Sequence, residues 1–561
     1  MFPPDPLPVP EIPLTRPPTS VLPPTQRTPS FVLGASNRSY KHQYANIYFA
    51  RLQLLRKYVL ARATRRWKDV SGNPVFVSRV LEVIKGKLCY IIGTVYMDMP
   101  LKPNVLQDIA RDHSLPAPPP RTKYCSPDDQ VMLEDESGRI FLVGERLRAA
   151  SLVTGVIVGV LGIETSGGEF EVVDVCYAGM APQPSRGLEW GKSAQKDENM
   201  EVDGALGEEH DDEWVALVSG LEIGAPSPAD AQIQMLVEYL TGEAGGPDDQ
   251  ATCSRISRLV IAGNSFSQAV STNASTNDDQ KAGRDRKGRR YGHDPANFSI
   301  HPTLTLSAHL LDIARSMPVH ILPGASDPAG TLLPQQPFPR AMFHGASAYA
   351  SFSCETNPTY IRVGAPSTFV PPVSNTGKGK QKASAAATST SNGAAANSGP
   401  SRTILVSSGQ PVEDMYKYLP SPPHTRLALA CQSLHWRHLA PTAPDTLWCH
   451  PYFAQDPFVL AETPDVYVVG NQPAFGTKII SERGWGKRRG GGGDEEMEVD
   501  SDGDEVEEKG MEGEGGQKRC RVVLVPTFKK TGVLVLLNLR TLAVRTVQFA
   551  VEGMSGAAED T

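Results

Sequence analysis

Apolar residues recur along this chain in two rhythms. At Tyr44, Ile47, Tyr48, Leu52, Leu55 and Val59 they keep helical spacing, which predicts an amphipathic helix packing its apolar stripe onto the domain that follows. From residue 88 onward the rhythm becomes that of strands. Residues 88–97 read as one buried strand, 130–135 and 138–143 as a hairpin turning at Glu136-Ser137, and 151–162 and 168–177 as a second pair. These are five short strands, with glycines inside them where a small barrel must bend, and they predict an OB-like barrel.

Further along, strands apolar on both faces (214–219, 256–263, 319–322) alternate with helical patterns at 229–240 and 304–317. That alternation predicts a layered α/β unit. Strands resume at 521–526 and 532–539, so the chain returns to the same unit. The fold class is therefore α+β and multi-domain: an N-terminal helix and OB-like barrel, then a layered α/β domain. The expected boundaries are a proline-rich disordered tail at 1–39, helix plus barrel at 40–184, an acidic linker at 185–213 and the α/β domain at 214–552. Low-complexity insertions interrupt that domain at 371–402 and 486–518, and a short tail follows at 553–561.

Composition narrows the function classes. A length of 561 residues exceeds what one core holds, and a net charge of −7 gives no global attraction to nucleic acid. The eight cysteines form no C-x-x-C pair and read as reduced core residues, not as a zinc site or a disulfide framework. The start lacks a signal-peptide apolar core. The longest apolar runs, near 156–163 and 533–537, fall short of the ~20 residues that span a bilayer, so an intracellular, soluble protein with no membrane contact is expected. The basic runs 284–290 and 487–489 read as import signals or as solvated loops, and the acidic stretch 494–508 as a solubilising loop.

In open α/β folds, sites form at the carboxyl ends of strands. Here those ends read Ser219-Gly-Leu221, Gly263-Asn264, Gly324-Ala-Ser-Asp327 and Gly470-Asn471. This set resembles the turns of calcineurin-like metallophosphoesterases. That chemistry holds two divalent ions, about four positive charges, with carboxylates and imidazoles. The candidate positions here are Ser219, Leu221, Asn264, Ala325, Ser326, Asp327 and Asn471, which offer one carboxylate and two amides. They predict a dismantled metal site, with no catalytic residue, no metal and no cofactor. His435 and His438, three apart on one predicted helical face, and His320 in a strand have no matched acidic partners in the sequence and read as structural.

Longer stretches combine into a resemblance. They include Pro-Leu-Lys-Pro at 100–103, Pro-Pro-Arg-Thr-Lys-Tyr at 119–124, Leu322-Pro-Gly324 with Ser326-Asp-Pro328, Leu-Pro-Gln-Gln-Pro at 333–337 and Gly-Asn-Gln-Pro-Ala-Phe-Gly at 470–476. Over residues 40–184 and 214–550 the chain resembles the second, non-catalytic subunits of replicative DNA polymerases, the delta type above all. The resemblance implies an OB domain joined to an inactive phosphoesterase domain. It also implies a nuclear accessory subunit that docks the C-terminal module of the catalytic polymerase chain and holds a third regulatory subunit. DNA and the sliding clamp would then be reached indirectly, during strand elongation and repair synthesis.

Two other readings compete. One is an active metal-dependent phosphodiesterase or exonuclease. The other is an OB-fold protein that binds single-stranded nucleic acid through Tyr90, Tyr96, Phe141 and Phe170, although these lie among Glu134, Asp135, Glu136, Glu169 and Glu171.

Overall fold

The computed structural model describes residues 14–34, 43–103, 121–184, 213–225, 229–267, 301–364, 401–453, 455–482 and 517–551. The acidic linker apart from Glu213, the basic runs at 284–290 and 487–489, the acidic stretch, most of both insertions and the tail at 553–561 lie outside the described residues.

Residues 14–34 correct the expectation of a disordered tail. They run as an extended arm with one two-residue strand, β1 (Ser20–Val21). Arg16 donates to the carbonyls of Cys253 and Ile256 at 2.6 and 2.8 Å. Phe31 and Leu33 are buried, and Phe31 stacks on Tyr360 at 5.6 Å. Proline-rich composition argues against a core of the arm's own, but not against laying its few apolar residues on someone else's.

Helix α1 (Ala45–Arg66) follows the predicted periodicity, with Ile47, Leu52, Leu55, Val59 and Ala63 buried. It lies on a barrel built from β3 (Cys89–Asp98), β4 (Gln130–Glu134), β5 (Arg139–Val143), β6 (Ile157–Glu164) and β7 (Glu169–Cys176), with β2 (Val75–Phe76) added on β3 and a short α2 (Glu145–Ala149) after β5. The order β3-β4-β5-β7-β6 closes through β3–β6 pairing. The closure needs small residues. A Cβ on Gly93 would sit 2.6 Å from the Glu134 carbonyl, and one on Gly162, at the β6/β7 register shift, would press into the Glu171 carbonyl.

The α/β unit is two six-stranded sheets face to face. One contains β8 (Trp214–Val218), β9 (Ile256–Ala262), β10 (Val319–Leu322), β11 (Phe352–Cys354), β17 (Val533–Asn538) and β18 (Val544–Gln548). The other contains β12 (Thr359–Gly364), β13 (Ser401–Ser407), β14 (Val466–Gln472), β15 (Gly476–Glu482) and β16 (Lys518–Pro526), with β1 of the arm on its edge. Successive residues of each central strand face opposite sides. Val215 and Leu217 of β8 meet Val466 and Val468 of β14 between the sheets. Trp214, Ala216 and Val218 turn the other way, under α3 (Asp230–Thr241) and α5 (His301–Ser316), which flank the short α4 (Pro247–Ser254).

The outer face of the second sheet carries α6 (Gln410–Tyr418) and α7 (Arg426–His435) and, beyond them, the barrel. Here the two units share one core: Val95, Val153 and Phe170 of the barrel belong to the same buried cluster as Leu405, Val412, Trp436 and Tyr467. Both insertions leave from hairpin ends. Gly364 pairs with Ser401 and Glu482 with Lys518, so the strands on either side register without the intervening residues. The short α8 (Phe528–Thr531) leads into β17.

Candidate functional site

The four predicted turns converge where the two sheets meet. Gly220 and Gly263 take left-handed φ values of 66° and 83°, and Asn264 and Asn471 take 54° and 56°. Asparagine is among the few residues that accept this region. Gly470 is tightly enclosed: a Cβ there would press into the Ala262 carbonyl.

Ser219 is fully buried. Its hydroxyl accepts the Asn471 N–H at 2.8 Å and donates toward the Val525 and Pro526 carbonyls, each at 3.2 Å. The Asn471 amide donates to the carbonyls of Ser408, at 2.8 Å, and Ala262, at 3.1 Å. Asn264 Oδ1 accepts the Ser326 N–H at 3.2 Å. Asp327 accepts the N–H groups of Phe266 on Oδ1, at 2.8 Å, and of Gly324 on Oδ2, at 2.7 Å. Burial pushes the Asp327 carboxyl up to about 6, against the lowering effect of those N–H groups. Leu221 instead turns into the core beneath α3, and Ala325 faces solvent.

Sequence reasoning missed a second layer of polar residues. Asn357 is fully buried; its amide donates to Gln335 Oε1 and Ser408 Oγ, each at 2.7 Å, while its Oδ1 accepts the Ser408 N–H at 2.9 Å. Gln335 donates to the Gly324 and Gly330 carbonyls. The available signal was a fifth strand end, Ser407-Ser408-Gly409 after β13.

The donor set does not fit a two-metal centre. Its carboxylate spends both oxygens on backbone N–H groups, and the other side chains are neutral hydroxyls and amides turned onto backbone. Among the described residues no group of three or more His, Cys, Asp or Glu is placed to hold a metal ion. The cluster instead stitches the ends of the two sheets together.

Two of these histidines, His320 and His438, do have acidic partners, supplied by tertiary structure. His320 lies 2.9 Å from Glu355 on Nδ1 and 2.8 Å from Arg258 on Nε2. His438 lies past the end of α7, after Arg437 at φ 57°, so it does not share a helical face with His435. Its Nδ1 accepts the Ala440 N–H at 3.2 Å, which leaves Nε2 to donate to Asp456 Oδ2 at 2.7 Å. The same carboxylate receives Arg51 Nε at 2.7 Å.

The barrel aromatics are also placed differently from the expected stacking platform. Tyr90 and Phe170 are buried, Tyr96 is half-buried beneath the Lys102 ammonium at 4.8 Å, and Phe141 is exposed. Helix α1 carries cations without acids, yet Arg56, Arg62 and Arg66 pair with Glu136, Glu482 and Asp174 from both units.

Comparison with known proteins fits this two-part architecture. Residues 43–175 match the family model for the DNA polymerase delta subunit OB-fold domain, and residues 215–370 and 371–477 match that for the B subunit of DNA polymerase alpha/epsilon. The chain is 33% identical over 510 residues to the DNA polymerase delta small subunit of Arabidopsis thaliana, covering 91% of this chain and 92% of the relative. It is 31% identical to that of Oryza sativa subsp. japonica, covering 91% and 93%, and 31% identical to that of Saccharomyces cerevisiae, covering 93% and 92%. With both units matched in order and 31–33% identity to these relatives along nearly the whole chain, the protein belongs to the family of DNA polymerase delta small subunits.

Proposed function

We propose that this chain is a non-catalytic scaffold that bridges the C-terminal module of a delta-type catalytic subunit to a third regulatory subunit. It touches DNA and the sliding clamp through that assembly, in the nucleus, during strand elongation and repair synthesis. Ser219, Leu221, Asn264, Ala325, Ser326, Asp327 and Asn471 are the remains of a phosphoesterase metal site. The observation that carries the reading is the strand-end cluster, where strands converge on Ser219, Asn264 and Asn471, neutral side chains bound to backbone, and on the one carboxylate of Asp327, whose two oxygens accept backbone N–H groups. A rigid body with one core across barrel and sandwich suits a part that holds other chains in fixed relation.

Two experiments test it. Co-expression with the family's catalytic subunit should yield a stoichiometric complex; separate elution of the two chains would sink the scaffold reading. A manganese-dependent phosphodiesterase assay of the purified chain should give no turnover above buffer. Turnover that disappears in Asp327→Ala would establish the enzyme reading in its place.

A further inference from the structure

Strand β15 ends its sheet. Among the described residues β16 is its one neighbour, and no backbone group of residues 477–481 bonds outside that pairing. Its side chains alternate. Ile480 turns into the core shared with the barrel, while Ile479 is 43% exposed on the opposite face, with Ser481 exposed beside it. Lys478, on the Ile480 side, is exposed and has no acid against it among the described residues. Unpaired backbone and an exposed isoleucine make such an edge a template for a further strand.

A sequence repeat identifies the occupant. Trp190-Gly-Lys192 precedes Asp197-Glu-Asn-Met-Glu-Val-Asp203, and Trp485-Gly-Lys487 precedes Asp494-Glu-Glu-Met-Glu-Val-Asp500. The two seven-residue stretches agree at six positions. Their segments leave the fold side by side. Gln183 and Arg519 exchange two hydrogen bonds, at 2.8 and 2.9 Å, and Glu482 accepts the Met180 N–H at 2.6 Å. In each copy Met and Val stand two apart with acids between and around them, the period of a strand with one apolar face.

The later copy fits the edge in length and in charge. Eleven residues, six of them glycine, separate Glu482 from Asp494, enough for the chain to turn back along β15. Sixteen residues, 501–516, then lead to Gln517; at roughly 3.3 Å each they exceed the roughly 23 Å length of a seven-residue strand such as β15. Five of the residues 494–500 are acidic, and Lys478 is the cation awaiting one.

We infer that the β15 edge is covered by the chain's own segment 494–500, added antiparallel with Met497 beside Ile479 and Glu498 beside Lys478. Cross-strand pairs of these two kinds, apolar and oppositely charged, are the ones that stabilise a sheet. The cover closes an edge that would otherwise recruit foreign strands. The inference stands independently of the scaffold reading.

Hydrogen–deuterium exchange read by mass spectrometry on the full-length chain tests it. The amides of β15 that face away from β16 should be protected. The double change Met497→Asp, Val499→Asp should speed their exchange at least about tenfold, while the matching change Met200→Asp, Val202→Asp should leave it alone. The amides of β14 should exchange alike in all three chains, which separates loss of the cover from general destabilisation. Unprotected edge amides in the unaltered chain, or no acceleration in the Met497 and Val499 variant, would overturn the proposal. So would acceleration by the Met200 and Val202 change, alone or as well, or a parallel rise in β14.

Discussion

Arg51 and Asp456, 405 residues apart in sequence, meet at 2.7 Å with both side chains fully buried. Arg51 also donates to the carbonyls of Pro441 and Ala443, each at 2.7 Å, and of Gly155, at 3.1 Å. One guanidinium thus ties helix α1, the barrel and the sandwich. A buried pair gains little over apolar packing, but losing one partner strands the other charge. Arg51→Ala should cost about 3–5 kcal/mol in urea unfolding, and Arg51→Ala with Asp456→Ala less than the sum of the single changes. Additive costs would mean that the pair is not coupled.

His438 sets an acid limit on the same junction. Burial, then Arg51, lowers its imidazole to about 4, against the opposing pull of Asp456. Burial pushes the Asp456 carboxyl up, but His438 and Arg51 outweigh it and hold it below the usual carboxylate range. In the unfolded chain the imidazole protonates near pH 6.5, so between about 6.5 and 4 the unfolded state binds the additional proton. Stability should therefore fall as the pH drops through that window, by on the order of 2–3 kcal/mol from this group. Asp456 adds its own loss at lower pH, as its depressed carboxyl takes up a proton. His438→Gln should flatten the upper part of the profile in denaturation series run from pH 7 to 4.5.

Asp327 works in the opposite sense. Its folded-state value of about 6 lies above the unfolded one, so its burial disfavours the folded state at neutral pH and does so less as pH falls through 6. Asp327→Asn removes that charge but turns an amide N–H₂ toward one of the two backbone N–H groups, of Phe266 and Gly324, that the carboxylate now accepts. The variant should be less stable at pH 7 by about 1–3 kcal/mol, with a weaker pH dependence between 6 and 4.

At the strand ends, packing leaves no room for added atoms. Gly470→Ala should destabilise by about 1–3 kcal/mol, because its methyl would press into the Ala262 carbonyl and lie 3.1 Å from Ser219 Cβ. Thermal unfolding reads this directly. An unchanged midpoint would show that the two sheets separate more readily than their hydrogen bonds suggest.

The two insertions should be dispensable for folding. Gly364 and Ser401 are antiparallel partners, so replacing 365–400 with a short Asn-Gly turn should change stability by no more than about 1 kcal/mol. The arm should behave differently: Phe31→Ala should cost about 3 kcal/mol, since it empties the stack on Tyr360. Urea titration of both variants separates the ornamental from the structural segment.

The sequence by itself determined the elements. The apolar runs of β8, β9, β14 and β16 announce strands buried on both faces, and the Gly-Asn steps that end β9 and β14 mark left-handed turns, because both signals live within a few residues. Tertiary structure decided what those elements do together. Arg51 reads as one of several helix cations until Asp456 arrives from the far end of the chain, and His438 acquires its acid the same way. The arm reads as disordered because its own composition cannot make a core, and distant groups give it a place: the Tyr360 ring, the open edge of β12 and the Cys253 and Ile256 carbonyls that hold Arg16. Asn357 carries no local signal, and Gln335 none beyond its place in the Leu-Pro-Gln-Gln-Pro stretch, since a buried amide is defined by the groups it meets. Periodicity reports which face of an element is apolar; which distant surface covers that face depends on strand order and closure, and those are settled only when the whole chain packs.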